Sequence, residues 1–172
     1  SLLPPMVALD SNLMAYALGN WIALAGWMAW LAHKKGEHPG LHRLLHRAGS
    51  QSRSVLHWAM ALPFPIWFLL TWTNTRAADA WLGIGFAVLA WAYIGLGRWL
   101  ARHDKAYGLP WYMASFICSA LAPAIALGYY DQPLLAATLL SAAAIYLTYA
   151  ALFRQRWWLP AGGFTLPFGT IL

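Results

Sequence analysis

The sequence predicts an all-α, polytopic transmembrane helical bundle of five full crossings plus a partial sixth, with one amphipathic interfacial helix. Three observations predict it. Hydrophobic residues make up 61% of the chain and charged residues only 9%, with a mean hydropathy of +0.53, the composition of a membrane-resident chain. The apolar residues are gathered into runs long enough to cross a hydrocarbon core of roughly 30 Å as helices. The 11 Lys and Arg residues alternate between turns. One set of turns holds Lys34, Lys35, Arg43, Arg47 and Arg53, then Arg98, Arg102 and Lys105, then Arg154 and Arg156. The intervening turns hold Arg76 alone, in company with Asp10, Asp79 and Asp131. Positive residues are retained on the cytoplasmic side, so the alternation counts the crossings and orients them.

In chain order, the first run extends from about Leu13 to Ala32, softened by Gly19, Asn20 and Gly26. The second goes from Val55 to Trp72, the third from Ala78 to Leu100, the fourth from Leu109 to Tyr129 and the fifth from Pro133 to Phe153. The last, Trp157 to Leu172, is too short to span and ends on Thr-Ile-Leu without a polar anchor. If the basic turns are cytoplasmic, the N-terminus lies outside, an orientation that normally follows an earlier crossing. Residues 1–172 therefore read as a single transmembrane helical domain belonging to a longer chain, interrupted at 34–54 by a basic amphipathic cytoplasmic loop. A complete chain with a re-entrant last segment is the other reading.

Trp30, Trp58, Trp99, Trp111, Trp157 and Trp158 fall near the basic boundary, and Trp72 and Trp81 near the other. They form the aromatic belts expected where an indole sits partly buried with its N–H toward water or headgroup oxygen. Pro63 and Pro65 in the second crossing and Pro123 in the fourth remove backbone donors and predict bends. Ser119, Ala120, Ala122 and Ala124 in crossing four, and Ser141 to Ala144 in crossing five, allow close backbone approach, so these two are expected to pack as an antiparallel hairpin. Asn12, Asn20 and Thr138 are expected to bond between helices.

Tyr93 and Tyr149 each precede an Arg by five residues, at Arg98 and Arg154. A second Arg follows each, then Leu-Pro at 109–110 and at 159–160. This suggests a repeated helical hairpin. On the stretch from Arg98 to Pro160 the chain resembles the large uncharacterised bacterial polytopic membrane proteins whose Ala/Leu-rich helical hairpins repeat between short Arg-Trp turns. That resemblance brings no catalytic residues; it implies a fragment of a longer protein.

Chemistry is confined to histidines. His38, His42 and His46 recur every four residues, and on a helix starting near Leu41 the side chains of His42 and His46 project from one face, a spacing that can hold a metal. The competing reading is an interfacial helix in which Leu41, Leu44 and Leu45 enter the bilayer. Lys34, Lys35, Arg43, Arg47 and Arg53 then meet lipid headgroups, anionic ones included. His57, just inside the second crossing, is the candidate cofactor ligand, for haem iron or the magnesium of a chlorophyll-type pigment. Its alternative is a boundary histidine bonded to water, phosphate or a carbonyl. No paired carboxylates, phosphate-cradling loop or paired-cysteine motif is present, and Cys118 has no second cysteine to join.

The cations punctuate apolar runs instead of gathering on one solvated face, which excludes nucleic acid as a partner. The sequence favours a non-catalytic integral membrane scaffold or accessory module with no cofactor. Its expected partners are the lipid bilayer and other transmembrane helices or subunits, and its expected place the bacterial inner membrane. The rivals are a transporter or channel portion, and a haem- or pigment-binding subunit of an electron-transfer or light-harvesting complex.

Overall fold

The computed structural model describes residues 4–33, 49–75, 79–154 and 158–171, all of them helix or short turn. The helical segments are α1 (Pro4–His33), α2 (Gly49–Ala61), α3 (Pro63–Thr75), α4 (Trp81–Ala101), α5 (Lys105–Gly128), α6 (Gln132–Phe153) and α7 (Trp158–Ile171). Among the described residues, four stretches are long and apolar enough to cross a membrane: Ser54–Thr75, which joins α2 to α3, and then α4, α5 and α6. These are the second to fifth expected crossings. The first expected crossing lies on α1, whose 30 residues have ample length, but Asn12, Tyr16, Asn20 and three indoles lower its hydropathy below that of the other four. The last, α7, has 14 residues and would reach about 21 Å at 1.5 Å per residue.

By contact the chain divides into two units, residues 1–77 with 96–114, and residues 78–95 with 115–172. In the first unit α1 lies along both α2 and α3. Two glycines one heptad apart allow it: a Cβ on Gly19 would stand 3.0 Å from Trp67 Nε1, and one on Gly26 would stand 3.4 Å from Met60 Sδ. The expected bend in the second crossing is a break at Leu62. Pro63 and Pro65 fall in the first turn of α3, where a missing N–H leaves no bond unmade. Leu62 N still donates to Trp58 O at 3.2 Å, which keeps the two segments in one path.

The same unit contains the turn between α4 and α5. Asp104 caps α5, its carboxylate accepting from Ala106 N at 2.9 Å and its carbonyl from Tyr107 N at 3.0 Å. That cap starts α5 at Lys105, four residues ahead of the expected Leu109, and Pro110 lies inside the helix instead of opening it. Behind the cap the helices nearly touch: a Cβ on Gly108 would come within 2.7 Å of Gly97 O.

In the second unit Asp131 caps α6, accepting from Leu134 N at 3.1 Å, with Pro133 in the first turn. Arg154 closes α6 in the left-handed region at φ 52°. Polar groups bond between helices: Ser115 Oγ donates to Ala90 O at 2.7 Å in the interior, and the exposed Trp91 donates from Nε1 to Ser141 Oγ at 3.1 Å. Thr138, expected to bond between helices, bonds back to Leu135 O at 2.9 Å within α6. The small residues receive glycines of other helices. Ala122 on α5 receives Gly83 of α4, whose Cβ would meet Ala122 O at 2.7 Å, and Ala143 O on α6 lies 3.4 Å from the place of a Cβ on Gly162 of α7. Between α5 and α6, Phe116 and Tyr146 bring their rings to 5.9 Å. Through Pro123 the α5 helix runs without a break.

Candidate functional site

His57 leaves α2 one turn after Arg53 and is only 3% exposed. It is enclosed by α5, where the Asp104 cap sets the helix rotation and places Tyr107 and Trp111, four residues apart, on one face. The Tyr107 ring lies 5.0 Å from the imidazole, tilted by 34°. The Trp111 ring meets it edge-on at 6.3 Å and 68°. Trp111 Nε1 donates to His57 Nδ1 at 3.4 Å. The Gly97–Gly108 approach holds the neighbouring α4 end against this face of α5.

The tautomer follows from the donor. An indole nitrogen only donates, so Nδ1 is the accepting nitrogen and a neutral ring carries its hydrogen on Nε2. A histidine that ligates a metal through Nε2 usually has the reverse arrangement, with Nδ1–H donating to a carbonyl or carboxylate. With the indole so placed, ligation of an iron or magnesium through Nε2 would require it to turn away. Chemically the trio can join α2 to α5 through a polar bond inside an aromatic enclosure.

Of the other site residues read from the sequence, His42, His46, Lys34, Lys35, Arg43 and Arg47, with the amphipathic helix that carries them, lie outside the described residues. Arg53 belongs to α2 by its backbone, and its side chain also lies outside what is described. Among the described residues no three His, Cys, Asp or Glu side chains gather where one metal ion could be held. His103 stays exposed in the α4–α5 turn, its Nδ1 3.4 Å from Trp99 O. Sequence reasoning placed Trp111 in the aromatic belt; the structure adds that it is 8% exposed and bonds His57. The available signal was depth, since both residues stand just inside the same basic boundary. Set against known proteins, the chain matches no family model, no curated protein and no solved structure.

Proposed function

We propose that the protein is a non-catalytic integral membrane scaffold or accessory module, with its N-terminus outside and its basic turns at the inner face of a bacterial cytoplasmic membrane. The observation that carries this reading is the placement of charge. In the four membrane-length stretches the only charged residues are Arg98 and Lys105, each in an end turn, while Asp10, Asp79 and Asp131, three of the five acids, fall in the alternate turns. Proton relays and ion-coupling sites place ionisable groups at mid-membrane. Here polar side chains within the spans bind one another or backbone carbonyls in the cases of Trp111 with His57 and Ser115 with Ala90 O. Such bonds hold helices together and leave the basic turns to engage anionic headgroups. Other transmembrane helices or subunits are the partners a scaffold of this kind would organise.

Topology is tested by single cysteines in a Cys118→Ala background, probed in intact cells with a membrane-impermeant maleimide. A cysteine at Tyr130 is expected to label from outside and one at His103 only after permeabilisation. The reverse pattern, or labelling of both from outside, would overturn the orientation.

A further inference from the structure

In the first unit, α1 and α3 enclose a cleft of about 320 Å³ that none of the chemistry above uses. One wall is Asn12, Tyr16 and Asn20, spaced by four along α1; the other is Trp67, Thr71 and Asn74, spaced by four and three along α3. Gly19 makes the floor, since only a residue without Cβ lets the Trp67 indole lie so close to α1. Ser11 Oγ donates to Asn74 Oδ1 at 2.9 Å and ties the two helices together at the Asn74 end.

Every side chain lining the cleft is uncharged. A charged ligand would meet no counter-charge among these lining residues, and burying an unpaired ion is far costlier than burying a hydroxyl. Amides on both walls present donors and acceptors together, and a threonine hydroxyl does the same, which matches a ligand whose own groups are hydroxyls. The Tyr16 and Trp67 rings add apolar faces for C–H surfaces; Tyr16 is 73% exposed and stands at the open side. The volume lies at the lower end of the range for small-molecule sites, about 300 Å³ upward, and suits one headgroup.

The stripe beyond the cleft identifies how that group arrives. Continued along α1 by the same spacing, Asn12, Tyr16 and Asn20 give way to Leu24 and Trp27, both exposed and apolar. On α3 the Trp67 ring abuts Phe64 at 5.1 Å. From Asn74 to Trp67 the polar part descends about 10 Å at 1.5 Å per residue. Polar at the boundary and apolar below is the profile of a lipid, whereas amides facing acyl chains with nothing between them are disfavoured. We propose that this cleft holds the neutral, hydroxyl-rich headgroup of a lipid, a sugar ring on a diacylglycerol, with its chains lying along Leu24 and Trp27. Assignment of that lipid to the outer leaflet rests on the orientation proposed above; the binding itself does not.

Native mass spectrometry of the purified chain in detergent tests it, with monoglucosyl diacylglycerol, phosphatidylglycerol and phosphatidylcholine offered at equal concentration. The glucosyl lipid is expected to be retained preferentially, and the Asn20→Leu, Thr71→Val double variant to lose that retention by roughly tenfold, as expected for lost hydrogen bonds. Tyr16→Ala, on the exposed side, is expected to weaken retention with an unchanged melting temperature, and serves if the double variant does not fold. Retention of methyl glucoside at a lower concentration than the glucosyl lipid requires would assign the sugar to solution and refute the lipid source. Equal retention of the three lipids, retention unchanged in both variants, or a lipid-free dimer would overturn the proposal. Maleimide labelling in cells reads the orientation separately, so failure of one is not failure of the other.

Discussion

Replacing Gly108 by alanine tests the close contact between α4 and α5 in the first unit. The added Cβ would stand 2.7 Å from Gly97 O and 2.8 Å from Ala101 Cβ, where ordinary contact starts near 3.4 Å, so the backbones of α4 and α5 must part by about 0.7 Å. Neither obstacle is the end of a flexible side chain that could swing aside. Overpacking of this kind costs about 1–3 kcal/mol, and with backbone as the obstacle the upper half of that range applies. Alanine returns about 1 kcal/mol through its better helix propensity. The net expectation is a loss of about 1–2 kcal/mol. Gly95→Ala is the internal control: nothing lies within 4 Å of its Cβ, so the propensity gain stands alone and stability should hold or rise by up to about 1 kcal/mol. Reversible unfolding in mixed micelles, followed by helical circular dichroism, compares the two. Should Gly108→Ala prove as stable as Gly95→Ala, the close approach of the inner ends of α4 and α5 is wrong.

His57→Leu removes the acceptor for the Trp111 indole and is expected to lower stability by about 1–3 kcal/mol. His57→Gln, which keeps an acceptor, should lose less in the same unfolding assay. His57→Ala is expected to leave the visible absorption of protein purified from its own membranes unchanged, and a Soret or chlorophyll-type band that vanishes with the side chain would refute the tautomer reasoning. Asp131→Ala deletes the cap of α6 and should cost about 0.5–2 kcal/mol, measurable by chemical unfolding. Cys118 is fully buried, so the folded protein in detergent should resist maleimide for hours and react on addition of denaturant; rapid labelling without denaturant would contradict its place in the second unit.

The four membrane-length stretches were legible because a hydrocarbon core demands an apolar run of fixed length, and such runs are local in sequence. The break at Leu62 was legible for a similar reason, as prolines act on their own backbone. The start of α5 was misplaced because Leu-Pro at 109–110 suggests an opening, while the Asp104 carboxylate captures the Ala106 amide four residues earlier than that opening requires. What stayed hidden depends on how helices turn about their axes. Trp111 and His57 are 54 residues apart, and nothing local tells an indole in a belt from one in a core. Likewise Asn12 and Asn20 were visible as polar members of α1, but the opposing face of Thr71 and Asn74 exists only once the restart at Pro63 has set the rotation of α3.

That restart also bears on how the protein is made. The two segments it creates have 13 residues each, about 20 Å as helix against a hydrocarbon core of about 30 Å. Only the joined stretch Ser54–Thr75 has the length of a span, so where it crosses as one, commitment to lipid is expected to wait until the residues after the Ala-Leu-Pro-Phe-Pro junction have been translated.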